Sequence, residues 1–210
     1  VRNSGKIFHL PSMALALLAR ITPPDMEVSI VDEIIQSLNF DSAVDLVGIT
    51  VNSKTVARSY EIGDEFRKRG VSVVMGGIHP TVCPQEAIEH ADAVVIGESE
   101  LVWNQLLEDF QKGNLQKFYK NHKYPDLQNY PIPQRELFPD NKYITTNIIQ
   151  TSRGCPYNCS FCSVPSIYGT KVRLRSVDNV INEIKTLNGN EIIFVDDNII
   201  LNKNYAKQKS

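Results

Sequence analysis

The chain reads as an α/β protein, with a parallel, doubly wound sheet in its N-terminal half and the opening strands of a second, barrel-like α/β body in its C-terminal part. Three observations point there. Short runs rich in Val and Ile alternate with stretches of helical period, the pattern of parallel strands joined by crossover helices. Two glycines, Gly76 and Gly77, directly follow one of those runs. Three cysteines, Cys155, Cys159 and Cys162, share one loop further on.

Taken in order, Ser12 is a plausible N-cap for a helix over 13–21, which Pro23 and Pro24 terminate. Residues 27–31 (EVSIV) read as a short buried strand and 45–51 (DLVGITV) as a second. A helix over 54–69 follows, with Val56, Tyr60 and Phe66 near one face and Gly70 as its stop. Strands are expected at 71–75 and 93–96, and a helix at 101–110. Residues 113–145 form a linker stiffened by Pro125, Pro131, Pro133 and Pro139 and anchored by Tyr124, Tyr130, Phe138 and Tyr143. A strand over 147–151 then enters the cysteine loop. Ser176 caps a helix whose Val177, Val180, Ile181, Ile184 and Leu187 share a face, Gly189 closes it, and 191–195 (EIIFV) is the next strand. The expected division is 1–112, 113–145 and 146–210.

Composition narrows the function. The net charge of -2 gives no basic footprint for nucleic acid. No apolar run approaches the roughly 20 residues of a membrane helix. Four cysteines in 210 residues suit a reducing, cytoplasmic setting better than a secreted disulfide framework.

The sharpest chemical signal is the run Arg153-Gly154-Cys155-Pro156-Tyr157-Asn158-Cys159-Ser160-Phe161-Cys162. Three closely spaced thiolates can hold three irons of a [4Fe-4S] cluster and leave the fourth iron open. Structural zinc wants four ligands, and no fourth Cys or His lies close in sequence. A disulfide would leave one of the three thiols unpaired, and buried inert thiols are the remaining alternative.

Ligands of open parallel sheets bind beyond the carboxyl ends of the strands. Here those ends carry Thr50 to Ser53, Met75 to Thr81, and Gly97 with Glu98. Gly76 and Gly77 either let the backbone approach a bulky ligand or only make a tight turn. His79, in the turn after them, is more often a residue that bonds backbone, and Cys83 reads as a small buried side chain. His9, His90 and His122 have no convergent partner in sequence. Asp196 and Asp197 close the last strand, where carboxylates of a barrel face the active site or cap a turn.

The cysteine loop, with Phe161 directly before the last cysteine, resembles that of radical S-adenosylmethionine (SAM) enzymes. The order DLVGIT, VVMGGIHPT, AVVIGESE, proline-rich strap and cysteine loop resembles the branch of that superfamily that carries a cobalamin-binding domain. The resemblance implies a Rossmann-like cobalamin domain with contacts at Ser53, Thr55, Gly76, Gly77 and Gly97. It implies a [4Fe-4S] cluster on Cys155, Cys159 and Cys162 whose open iron is chelated by SAM, with Phe161, Asp196 and Asp197 as further SAM contacts. The Asp-x-His-x-x-Gly signature of other cobalamin proteins is absent, so cobalt is expected to lack a histidine from that motif. The implied chemistry is reductive cleavage of SAM to a 5'-deoxyadenosyl radical, used for methyl transfer or rearrangement on a small-molecule or peptide substrate, with electrons from a flavodoxin or ferredoxin type donor. A methylthiotransferase, whose loop is similar but whose N-terminal domain brings three more cysteines, and a non-catalytic cobalamin or metal carrier are the alternatives. The resemblance also implies a fragment: the chain starts at Val1 where the first strand of such a domain would have ended, and a complete barrel does not fit into 146–210.

Overall fold

The computed structural model describes residues 9–139, 142–189 and 191–199. Chain contacts gather into two compact units.

One unit comprises 21–26 and 38–125. Its centre is a sheet of β1 (Leu46–Thr50), β2 (Ser72–Gly76), β3 (Ala93–Ile96) and β4 (Phe118–Lys120), all parallel and in that spatial order. The register aligns Thr50 with Gly76, so the carboxyl ends of β1 and β2 finish level. Alternation decides which face each side chain covers. Val73, Met75 and Val94 pack on one face with Phe66 of α2 (Val56–Lys68) and Ala87. Val74, Ala93 and Val95 pack on the other with Leu106 and Leu107 of α5 (Trp103–Gln111). Both faces are covered, which is why β2 and β3 are apolar at nearly every position. Helix α2 ends in a Schellman motif: Gly70 N–H reaches Arg67 O, Val71 N–H reaches Phe66 O at 3.1 Å, and Gly70 has φ +78°. Between β2 and β3 run two short helices, α3 (Ile78–Val82) and α4 (Pro84–Ala87).

The other unit comprises 1–20, 27–37 and 126–210. Helix α1 (Met13–Ile21) sits where the sequence puts it. Its Ala16 packs with Phe138 and Tyr143, and its Leu17 with Leu127 and Tyr130, so three of the four aromatic anchors of the proline-rich stretch lie along α1, while Tyr124 is exposed. Strand β5 (Ile148–Ile149) pairs in parallel with β8 (Ile193–Phe194), and β6 (Ser152–Arg153) pairs antiparallel with β7 (Arg173–Leu174). Helices α6 (Val164–Tyr168) and α7 (Val177–Ile184) lie between them.

Four expectations change. Residues 27–31 form no strand: alternate residues are exposed, and Ile30 joins the Ala16, Phe138 and Tyr143 cluster instead. A strand needs a neighbour for its backbone groups, and among the described residues 27–31 joins no sheet. Conversely, Phe118–Lys120, inside the stretch read as linker, finds the edge of β3 and becomes β4. The expected face of α7 is rotated, for the buried residues are Val180 and Glu183 while Ile181 is exposed. The cause is electrostatic. One Glu183 oxygen takes Arg135 and the other pairs with Arg175, and Glu183 and Arg175 are 1% and 2% exposed. Finally, the strands around the cysteine loop shrink to two residues each, and side chains add to the backbone bonds between them.

Candidate functional site: glycine-lined strand ends and a cysteine loop

At the carboxyl edge of the parallel sheet the chain is stitched by short-range bonds. Val51 N–H donates to Gly76 O at 2.8 Å, and His79 N–H donates to Val51 O at 3.1 Å. Thr81 Oγ1 donates to Gly77 O at 2.7 Å and accepts from Gly97 N–H at 2.9 Å, joining the ends of β2 and β3. The sequence reading did not single out Thr81, although a hydroxyl four residues after a glycine turn was the available signal.

The three glycines differ in why they are glycine. Gly77 has φ +105°, and a Cβ there would stand 2.8 Å from Val51 O, so the tight packing of β1 against the turn already excludes a side chain. Gly76 would place a Cβ 3.7 Å from Val95 Cβ, an ordinary contact. Gly97 has φ +88° and nothing within 4 Å of a Cβ position, so its outer side is open. A Cβ at Gly76 or Gly97 therefore meets no clash of the kind that excludes one at Gly77. Ser53 and Thr55 are exposed at the start of α2, and the Thr55 hydroxyl is turned to the Asn52 backbone, accepting from N–H at 3.2 Å and donating to O at 3.3 Å.

His79 does more than bond backbone. Its Nε2 lies 2.9 Å from the Tyr60 hydroxyl and 3.5 Å from a Glu86 oxygen. Tyr60 in turn stacks on His90 at 4.1 Å, and His90 Nδ1 is 3.0 Å from Asp64. Burial, reinforced by Glu86, pushes the Tyr60 phenol well above its usual range. Only folding brings α2, α3 and α4 together, so His90 has a partner that sequence spacing does not show. Far from these loops, at the amino end of β2, Arg67, Gly70, Val71, Ser72 and Asp92 line a shallow cleft of about 270 Å³. The Arg67 to Asp92 ion pair across it, at 3.1 Å, marks it as a structural seam.

In the other unit, Cys155, Cys159 and Cys162 are free thiols, with Cys159 exposed and the other two half-buried. Gly154, just before them, has φ +89°, and a Cβ would stand 2.6 Å from Lys171 O. Cys155 N–H donates to Gly169 O at 3.2 Å, and Cys162 N–H to Cys159 O at 3.0 Å, so the loop leaves the β6–β7 pair and turns back within the triplet. Phe161 is 91% exposed.

The structure brings Asp196 and Asp197 to the root of this loop. Asp196 Oδ1 accepts from Thr151 N–H at 3.0 Å, from the Thr151 hydroxyl at 2.6 Å and from the Ser152 hydroxyl. Its Oδ2 is buried and has no hydrogen-bond partner among the described residues. Asp197 Oδ2 accepts from Gly154 N–H at 3.2 Å. Although Asp197 keeps solvent contact, crowding by surrounding atoms desolvates its carboxyl and raises it from the ordinary value, with Asp196 adding to the rise and Arg153 and Arg173 opposing it. Behind the loop, the guanidinium groups of Arg153 and Arg175 lie over the Tyr130 ring at 5.0 and 5.3 Å. That network, with Arg135 and Glu183, went unread in the sequence because its members are 48 and 8 residues from Glu183.

Free thiols in one turn, with no disulfide among them, are the donor set a cluster with three protein ligands requires. Comparisons with known proteins give two family matches. The B12 binding domain family matches residues 15–107, and the Radical SAM superfamily matches 149–209. The chain belongs to the radical SAM proteins with a B12-binding domain. This cobalamin-type radical SAM chain is 38% identical to bacteriochlorophyllide d C-8(2)-methyltransferase of Chlorobaculum tepidum, over 82% of its length and 39% of the relative's. It is 32% identical to bacteriochlorophyllide d C-12(1)-methyltransferase of the same organism, over 78% of its length and 38% of the relative's. The radical SAM methyltransferase TsrM of Kitasatospora setae, solved with tryptophan and a SAM analogue, shares the fold at a TM-score of 0.65 and 20% identity, over 94% of this chain and 47% of that one. The chain thus spans about two fifths of the length of these curated relatives. Among the described residues, no helix is long and apolar enough to cross a membrane.

Proposed function

We propose that this chain supplies the cofactor-binding part of a cobalamin-dependent radical SAM methyltransferase. The observation that carries this reading is the cysteine loop itself: three free thiols on one turn, with Gly154 and the two carboxylates of Asp196 and Asp197 gripping its root. Cys155, Cys159 and Cys162 would hold a [4Fe-4S] cluster. Bound together, the cluster, SAM and cobalamin supply reductive cleavage of SAM and methyl transfer.

The residues around the thiols have definable tasks. Asp196 fixes the backbone at Thr151 and Ser152, and its buried second oxygen is an acceptor suited to the ammonium group of SAM. Asp197 holds the Gly154 amide and so sets the direction in which Cys155 leaves β6. Phe161 presents an apolar ring to the outside of the loop, where it shields the cluster from water once a ligand covers it. In the sheet unit, Gly76, Gly77, Gly97, Ser53 and Thr55 form the proposed cobalamin-binding edge, with Gly76 and Gly97 in contact and Gly77 shaping the turn. The methyl acceptor is a small molecule, as the relatives' names suggest. A flavodoxin or ferredoxin type protein delivers the electron, in the reducing cytoplasm that thiolate-held iron needs. A methylthiotransferase would require further cysteines near the sheet, where the chain has Cys83 alone.

The test is anaerobic reconstitution followed by titration with hydroxocobalamin. About four irons per chain, with the charge-transfer absorbance of an iron–sulfur cluster, and a saturable shift of the cobalamin spectrum are expected. Tight zinc at the three cysteines in place of iron, or no cobalamin binding, would overturn the proposal.

A further inference from the structure

The turn after β2 holds a second set of metal-type donors, remote in sequence from the cysteine triplet. One ring nitrogen of His79, Cys83 Sγ and a Glu86 carboxylate oxygen all lie within 4.8 Å of one another. Their spacing is helical. His79 and Cys83 are four residues apart across α3, where Cys83 N–H donates to His79 O at 2.8 Å, and Glu86 follows three residues later in α4. One imidazole, one thiol and one carboxylate therefore converge from a single chain segment. We propose that His79, Cys83 and Glu86 bind a divalent cation of the zinc class.

The donor chemistry selects the metal. A thiolate with an imidazole suits Zn2+ or Co2+ and disfavours Mg2+ and Ca2+, which take oxygen ligands. Bond lengths of about 2.0 Å to nitrogen or oxygen and about 2.3 Å to sulfur put tetrahedral ligand atoms roughly 3.3 to 3.7 Å apart. His79 Nε2 and a Glu86 oxygen already stand 3.5 Å apart, and the atoms, all within 4.8 Å, must close in by at most about an ångström. Glu86 makes that movement easy, because its side chain is 53% exposed, while His79 is held at 15% exposure. The His79 N–H to Val51 O bond keeps the imidazole-bearing turn in place while the carboxylate moves. Three protein ligands leave a fourth position open. A metal on His79 Nε2 displaces the hydrogen bond to the Tyr60 hydroxyl, now at 2.9 Å, and leaves that hydroxyl free to bond a bound water.

The site is built into the same turn that carries Gly77 and Thr81. A cation that ties α3 to α4 would stiffen the segment whose Thr81 hydroxyl joins Gly77 to Gly97. The proposal needs neither cobalamin nor an iron–sulfur cluster, so its failure and theirs are separable.

The chain has four cysteines, so the variant Cys155→Ala, Cys159→Ala, Cys162→Ala retains Cys83 as its single thiol. Titrated anaerobically with Co2+, that variant is expected to show a thiolate-to-cobalt charge-transfer band saturating at one metal per chain. Adding Cys83→Ser should remove the band, and adding His79→Gln should weaken binding at least tenfold, with far-ultraviolet circular dichroism unchanged. A missing band, or affinity indifferent to His79→Gln, overturns the proposal. Should the triple variant fail to fold, iron–sulfur-reconstituted wild type and its Cys83→Ser variant are exposed to Zn2+, desalted and assayed for metal. One zinc per chain in the former and none in the latter is expected, and equal zinc in both overturns it.

Discussion

Gly77 and Gly154 both sit at positive φ and both leave no room for a Cβ, yet the two turns they permit are secured in different ways. The turn at Gly77 grows out of a regular sheet. Five residues of β1 pair with five of β2, and the loop inherits its position from that register and from backbone bonds such as Val51 N–H to Gly76 O. The turn at Gly154 grows out of strands two residues long. Beside its few backbone bonds, side chains fix its position: Asp196 on Thr151 and Ser152, Asp197 on the Gly154 amide, and the buried Arg135, Glu183 and Arg175 group behind. A ligand edge that needs only backbone shape can be made by packing. A loop that must present three thiols in a fixed direction without long strands needs charged groups to anchor it.

The largest expected effect tests what the anchored loop is for. Replacing Cys155, Cys159 or Cys162 by Ala should abolish the cluster absorbance and the bound iron after reconstitution, while Cys83→Ala should leave both in place. Iron retained by any of the three variants would break the assignment of that loop.

Next comes the charge network. Glu183→Ala leaves the guanidinium of Arg175 buried without its carboxylate, and removal of one partner from such a group costs about 3–5 kcal/mol. Urea denaturation should show this loss in the transition of the cysteine-bearing unit. A change below about 1 kcal/mol would mean that the network does not anchor the loop.

In the sheet unit the contrast lies between neighbours. Gly77→Ala forces a side chain into a glycine-only conformation and against Val51 O, costing about 1–3 kcal/mol of stability. Gly76→Ala meets only Val95 Cβ at 3.7 Å and should alter stability by less than about 0.5 kcal/mol. If Gly76 faces cobalamin, the same change lowers hydroxocobalamin affinity about tenfold, or roughly 1.4 kcal/mol. Spectral titration beside thermal melting separates the two effects, and unchanged affinity in Gly76→Ala would remove that residue from the binding edge.

The smallest effect is in pH. The folded carboxyl of Asp197 titrates above its unfolded value, so the folded chain holds its proton longer and stability falls as pH rises from the ordinary carboxylate range through the folded value. Asp197→Asn should flatten that slope in melts taken across the acidic range, at the expense of a weaker grip on the Gly154 amide. An unchanged slope would show that Asp197 is not desolvated.

Much of this was legible because it is local. Helix α1, the strands β1 to β3, the Gly70 stop and the Ser176 cap, whose hydroxyl accepts from Asn179 N–H at 3.2 Å, follow from the period of apolar residues and from the backbone preferences of Gly and Ser. The cysteine triplet is visible in the sequence as three closely spaced thiols, the donors that the proposed cluster would use. What tertiary structure decided is whatever depends on a partner distant in the chain. Residues 27–31 have the composition of a strand but pack by Ile30 against the Ala16, Phe138 and Tyr143 cluster, and Phe118–Lys120 becomes a strand because β3 offers an edge. Glu183 turns inward against the apolar pattern of its helix because two arginines meet there. Asp196 and Asp197 reach the cysteine loop through the β5–β8 pairing, and His79 meets Tyr60 and Glu86 because α2 packs beside α3 and α4. Residue type and spacing set local backbone preference and the available donors. Pairing, burial and opposite charge, which act across tens of residues, determine where those donors converge.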